Sequence, residues 1–338
     1  MLATTLQGVR DIRFTTVPDP EISRPTDAIV KVAASCICGS DLWNYRGENS
    51  IRPGMTIGHE CLGIVEEVGG EVSSFRPGDF VIVPFCHSDN TCPACRAGVT
   101  SACVDGGFTV SGQGEYARVN HADGSLVAIP ADPAPELLAS LLALTDVMAT
   151  GWHAAVSAGV RPGGTAVVVG DGAVGLCGVL AAATLGAARV VAMSRHAPRQ
   201  ALARRFGATD IVASRGEQGE AEVLELTDGV GADAVLECVG TDETMRTAFA
   251  VARAGATVGF VGVPHGVNLP VRRMFDRNIG LAGGVAPVRA YLPELLPLVL
   301  GGAIDPGQVF DATLPLAESA EGYRLMDERE AIKVFLQP

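Results

Sequence analysis

Basic residues are scarce in this sequence: 25 Lys and Arg stand against 38 Asp and Glu, a formal net charge of -13 at pH 7. A surface of that sign repels phosphate backbones, so nucleic acid is not an expected partner. Charged residues are only 19% of the chain and never gather into blocks, while 48% are hydrophobic. That balance excludes a disordered chain. The sequence has no heptad pattern, low-complexity tract or internal repeat, which removes coiled coils and solenoids. The opening MLATTLQGVRDIRF lacks an apolar core behind a basic end, so no signal peptide is expected. The uncharged stretch from Gly172 to Ala188 is rich in Gly and Ala and lies between two β-like runs. It reads as a helix buried against a sheet, and no membrane is expected as a partner. The nine cysteines are an odd count. Without an export signal they imply reduced thiols and a cytoplasmic address, with some thiols available to metal.

What is present divides into two kinds of chain. From Ala28 to about Val119, short apolar runs (AIVKVAA, GIVEEVG, RPGDFVIVP) alternate with Gly and Pro turns, as in a β-rich, barrel-like domain. The middle alternates strands and helices. TAVVV, RVVAM, Asp210 to Ala213, DAVLECVG and ATVGFVGVP read as strands, and Ala173 to Leu185, Pro198 to Phe206 and Glu243 to Arg253 as helices. Such alternation specifies an α/β fold, a doubly wound parallel sheet covered on both faces. The expected division is 1–145 plus 291–338 for the β-rich domain and 146–290 for the doubly wound one. The YLPELLPLVLGG segment is amphipathic enough to pack at their junction.

The strand TAVVV runs into Gly170-Asp171-Gly172-Ala173-Val174-Gly175 and then a helix. Gly170 permits the turn, Gly172 lets backbone approach a pyrophosphate, and Gly175 lets helix and strand pack closely. A GxGxxG is weak evidence alone; the strand before and helix after strengthen it. The next strand ends Met193-Ser194-Arg195-His196, with Arg199 soon after. No carboxylate is expected there to repel a 2′-phosphate, while a hydroxyl and guanidinium could hold one. NADP(H) is favoured over NAD(H). The plain alternative makes Arg195 and Arg199 solvated surface charges. Cys38, in CICGSD, and His59-Glu60, in GHE, supply a thiolate, an imidazole and a carboxylate suited to zinc. Taken singly, Cys38 could be a small core residue and His59 a hydrogen-bonded one.

These motifs, with the CPAC knuckle, TDVMATGWHA and AIKVFL, resemble the zinc-dependent medium-chain dehydrogenase/reductase family across essentially the whole chain. The resemblance implies a GroES-like zinc domain and a Rossmann domain that presents the nicotinamide. It implies Cys38, His59 and Asp146 as catalytic zinc ligands, Glu60 as a carboxylate able to enter the zinc shell, and Asp41 as the acid orienting a ligand His. Thr150 and Val174 match positions beside the nicotinamide, and Lys333 one that approaches the cofactor. Asp89, Cys92, Cys95 and Cys103 match a structural zinc lobe, usually four cysteines, with Asp89 in the first place. Cys86 could enter instead, or the lobe could be metal-free.

Three protein ligands leave a fourth position for an alcohol, aldehyde or ketone, whose carbon exchanges hydride with the nicotinamide. Ser40 could take the hydroxyl proton. Many relatives place a His three residues beyond that Ser; here the position is Trp43, which could line the substrate pocket instead. His87, His121, His153 and His265 are expected to be structural, Cys36, Cys61, Cys177 and Cys238 core, and Arg272-Arg273 with Arg277 a solvated face. Family members form dimers or tetramers, so a homodimer or homotetramer is expected, with the strands near DAVLEC and VGFVG extending across a subunit boundary. An NAD-linked formaldehyde- or polyol-type dehydrogenase is the nearest alternative. A non-catalytic nucleotide sensor and a zinc-free quinone reductase are disfavoured, because neither needs an open zinc site.

Overall fold

A computed structural model describes residues 1–130 and 133–338, and the chain divides into two units, Met1–Asp146 with Pro287–Pro338, and Val147–Ala286. Both are built on sheets.

The first unit centres on Ala28–Cys36, a strand whose β-branched Ile29, Val30 and Val32 are all buried while Lys31 and Ala33 are exposed. It pairs antiparallel with Cys61–Val68, Tyr116–Val119 and Val334–Gln337, so residues from both ends of the chain meet in one sheet. Val30, Val65, Val81 and Leu126 fill the core beside it. A smaller sheet joins Leu2–Gly8, Asp11–Thr16 and Met55–Thr56. The helix Val288–Leu300 belongs to this unit and packs on Leu138–Ala143 and Thr100–Ala102.

The second unit is a six-stranded parallel sheet in the order Asp210–Val212, Arg189–Met193, Thr165–Val169, Ala232–Glu237, Ala252–Phe260, Gly280–Gly283. The chain starts in the third place, steps outward one way, then returns and steps outward the other. That reversal makes the doubly wound Rossmann fold, with its switch point after Thr165–Val169. Val167, Val191, Val235 and Val258 form the buried core with Phe249. The helix Ala173–Thr184 lies on this sheet, and among the described residues no single helix is long and apolar enough to cross a membrane.

Several expectations are corrected here. The strands around DAVLEC and VGFVG are interior, each already bonded on both sides, and cannot extend into another subunit. The open edges are Asp210–Val212 and Gly280–Gly283. Arg273 is not merely solvated: its guanidinium donates to the carbonyls of Phe249 and Ala250 at 2.8 and 2.9 Å, capping the end of the helix Asp242–Val251. Cys238 is mostly buried, short of full enclosure.

Candidate active site

Cys38 follows the strand Ala28–Cys36, and His59-Glu60 immediately precedes its partner Cys61–Val68, so the pairing of the two strands juxtaposes their ends. Gly58 makes this possible: its φ is +88°, and a Cβ there would lie 2.4 Å from the Gln113 side chain. Asp146 arrives after the helix Leu138–Ala143, anchored by the Phe85 N–H donating to the Thr145 carbonyl at 3.1 Å.

Ligand atoms of Cys38, His59, Glu60 and Asp146 all lie within 4.8 Å of one another. Asp146 Oδ2 stands 3.3 Å from Cys38 Sγ and 3.7 Å from His59 Nε2. Ligands about 2.0–2.3 Å from a tetrahedral ion stand roughly 3.3–3.8 Å apart, so thiolate, imidazole and carboxylate here fit zinc. Burial, with Asp146 and Glu60 nearby, pushes the Cys38 thiol up to about 11. A cation is what would hold it as thiolate at neutral pH.

Surrounding residues fix these donors. Asp41 Oδ1 lies 3.5 Å from His59 Nδ1, leaving Nε2 aimed at Asp146. Asp41 Oδ2 accepts the Cys38 N–H at 3.1 Å and the Gln113 amide at 3.5 Å, and Tyr323 in turn donates to Gln113 Oε1 at 3.2 Å. Burial opposes a charged His59, but Asp41, Cys38 and Asp146 outweigh it and raise its pKa. Lys333, expected to approach the cofactor, is buried beside Glu60. Its ammonium, 1% exposed, donates to Glu60 Oε1 at 2.7 Å and to the Ile37 carbonyl at 3.1 Å. A buried carboxylate needs such a counter-charge. Ser40 Oγ donates to Cys38 Sγ at 3.2 Å. Trp43 lies on the short helix Asp41–Tyr45, with the Arg46 guanidinium 6.0 Å from its ring. Phe85 packs edge-on to His59 at 6.1 Å and stacks with exposed Phe108 at 5.8 Å, an aromatic wall the sequence reading did not single out.

Asp89, Cys92, Cys95 and Cys103 form a second cluster at ligand spacing. Asp89 Oδ1 accepts the Thr91 and Cys92 N–H groups at 2.8 and 2.9 Å, which hold its carboxyl well below the usual range. Burial, with Cys92 and Cys103 beside it, pushes the Cys95 thiol up to about 12. Cys86 stays out of this lobe: the charges that act on it are Asp146 and His59 of the other site.

In the second unit, Gly170 takes φ +118° and a Cβ on Gly175 would lie 2.1 Å from the Gly170 carbonyl oxygen, while one on Gly172 would meet nothing within 4 Å. The turn thus presents open space at Gly172, before the free N–H groups of the helix Ala173–Thr184, as a pyrophosphate requires. Val174 is on that helix, and Thr150 is buried on Val147–Ala158. One expectation fails: a carboxylate does stand beside Ser194. Asp171 Oδ2 accepts the Ser194 hydroxyl at 2.9 Å, and Arg199 Nη1 lies 3.4 Å from Oδ1, while Arg195 is exposed. Asp171 lies inside the glycine motif and not at the end of the following strand, where such an acid usually stands.

The sequence signature of the alcohol dehydrogenase GroES-like domain matches residues 24–131, and that of zinc-binding dehydrogenases matches 173–301. A probable zinc-binding alcohol dehydrogenase of Mycobacterium tuberculosis is 36% identical, the match covering 100% of this chain and 89% of that relative. This chain belongs to the zinc-dependent medium-chain alcohol dehydrogenases. The solved alcohol dehydrogenase TADH from Thermus sp. ATN1 superposes on this dehydrogenase with a TM-score of 0.92 at 32% identity, covering 100% of this chain and 99% of that one. An NADP-dependent isopropanol dehydrogenase of Thermoanaerobacter brockii is 34% identical over 84% of each chain. The dehydrogenase is therefore a zinc-dependent oxidoreductase with a nicotinamide cofactor.

Proposed function

We propose that the dehydrogenase moves hydride between NADP(H) and a small or medium alcohol, aldehyde or ketone, using one zinc held by Cys38, His59 and Asp146. The observation that carries the reading is the convergence of these donors at tetrahedral spacing, with Glu60 beside them. Zinc, when bound, supplies polarisation of the substrate oxygen, and the nicotinamide supplies or receives the hydride. The chain's own residues do the rest. Asp41 orients the His59 ring, and Glu60, neutralised by Lys333, is near enough to exchange into the ligand shell. Ser40 accepts the hydroxyl proton. Trp43 has no basic nitrogen to pass it on, so the path continues through a cofactor hydroxyl or water. Phe85 and Phe108 favour apolar substituents on the substrate.

Gly170, Gly172, Ala173 and Gly175 hold the pyrophosphate, Thr150 and Val174 flank the nicotinamide, and Ser194, Arg195 and Arg199 face the 2′-phosphate. The NADP-dependent Thermoanaerobacter relative supports that choice. Asp171 favours a second reading, an NAD-linked formaldehyde- or polyol-type enzyme, since a carboxylate there can accept a ribose hydroxyl. A second zinc in the Asp89, Cys92, Cys95, Cys103 lobe and a cytoplasmic homodimer or homotetramer, joined at the open Gly280–Gly283 edge, complete the proposal. The test is nicotinamide absorbance with NADPH and with NADH across a panel of aldehydes and ketones. Faster NADPH oxidation, abolished by a strong chelator, is expected. A preference for NADH would overturn the cofactor choice, and chelator-resistant turnover would overturn the zinc mechanism.

A further inference from the structure

We propose that Asp171 is the specificity-determining residue for the 2′ position of the cofactor's adenosine ribose: it competes with a 2′-phosphate for Ser194 and Arg199. This rests on the reading that the turn Gly170 to Gly175 and the end of Arg189–Met193 hold a dinucleotide.

The argument is one of counting donors. Ser194 is 4% exposed, and its hydroxyl has a single proton, which goes to Asp171 Oδ2 at 2.9 Å. A hydroxyl donating to a carboxylate cannot donate to a phosphate at the same time. The backbone N–H of Ser194 is also engaged, by the Val212 carbonyl at 3.0 Å, and its carbonyl accepts from Gln200 at 2.6 Å. Arg199 Nη1 lies 3.3 Å from the Asp171 carbonyl and 3.4 Å from its Oδ1, with both side chains largely enclosed at 12% and 13% exposure. The carboxylate therefore does for these two residues what a 2′-phosphate would do. It is also a like charge, and like charges brought together in an enclosed site repel strongly. Arg195, which is exposed, remains as a cation for the phosphate. With a bare 2′-hydroxyl no such conflict arises, because the carboxylate can accept from it as Rossmann acids do. The two opposing groups, a carboxylate from the glycine turn and guanidiniums after the second strand, set the preference between the two cofactors by their balance. Removing Asp171 tips that balance toward the phosphorylated one.

The test measures binding to the full-length protein by calorimetry, with adenosine 2′,5′-bisphosphate and 5′-AMP as probes, and with NADPH and NADH by nicotinamide fluorescence. Asp171→Asn removes the charge and keeps the shape; Asp171→Ala also frees the Ser194 hydroxyl. Both should tighten the bisphosphate and NADPH about tenfold, by loss of the like-charge contact, while 5′-AMP and NADH stay unchanged or weaken through loss of the ribose-hydroxyl acceptor. Adding Arg199→Ala to Asp171→Ala should reverse the gain. Unchanged or weakened bisphosphate binding with 5′-AMP intact would overturn the proposal, since Asp171 would then be steadying Arg199 for the phosphate. Loss of both probes in both variants would also overturn it, making Asp171 a support of the turn alone. A wild-type enzyme that prefers NADH would refute the NADP(H) reading by itself, while the change of ratio in the variants still decides the role of Asp171.

Discussion

Replacing Lys333 with Met should destabilise the first unit by about 3–5 kcal/mol. The two charges are 2.7 Å apart and at most 1% exposed. Their attraction is about 6 kcal/mol at an effective dielectric of 20. Against it stands a desolvation cost of several kcal/mol for each ion, so the intact pair is near balance. The variant keeps the cost for Glu60 and loses the attraction, and the Ile37 carbonyl loses its donor at 3.1 Å. At 2–4 °C per kcal/mol for a unit of this size, Tm should fall on the order of 10 °C. Adding Glu60→Gln removes the stranded charge, so the double variant should recover most of the loss. Calorimetric melting of wild type, both single variants and the double, at equal zinc loading, measures this. A Lys333→Met protein within about 1 kcal/mol of wild type would refute the reasoning, as would a double variant no better than the single.

Other outcomes follow from the same geometry. Gly172→Ala should leave Tm nearly unchanged but weaken nucleotide binding about tenfold, whereas Gly175→Ala should lower both, because its Cβ would meet the Gly170 carbonyl at 2.1 Å; melting and fluorescence titration separate the two. Cys38→Ser should abolish turnover and remove one of two zinc ions per chain, while Cys95→Ser should remove the other and lower Tm; metal analysis that finds one zinc in the wild type would rule out an occupied lobe. Asp233 has its pKa lowered, first by the Thr165 N–H at 2.9 Å and then by Arg253. A depressed carboxylate adds stability above its unfolded pKa and loses it as pH falls through the folded value, so Asp233→Asn should flatten the acid side of the stability profile below about pH 4.

The sequence made the sheet of the second unit legible where strands carry β-branched runs. TAVVV and RVVAM match Thr165–Val169 and Arg189–Met193 because interior parallel strands must be apolar on both faces. The strand Gly280–Gly283 escaped notice: its GLAG sits at an edge and has no β-branched residue. The helix Gly216–Leu226 was also missed. It has two glycines, and only Gly219 and Val223 are buried, so it has almost no apolar stripe to read. At the candidate site, thiol, imidazole and carboxylate could be proposed from motifs because ligand chemistry restricts residue types. The supports could not. Gln113, Tyr323 and Lys333 lie 72, 210 and 273 residues from the groups they hold, Asp41, Gln113 and Glu60, and only the fold defines those pairings. Asp171 was hidden differently, by a motif whose glycines drew attention from the residue between them.

The strand Val334–Gln337 lies against Ala28–Cys36, and Lys333 precedes it. During synthesis, Cys38, His59 and Asp146 are all translated before the unit Val147–Ala286, and Lys333 only after it. At roughly 5–20 residues per second, Glu60 waits on the order of tens of seconds for its counter-ion. Through that interval the nascent first unit has an open sheet edge and an uncompensated acid beside its metal donors. Arrival of the last strand closes the edge and supplies the counter-charge together.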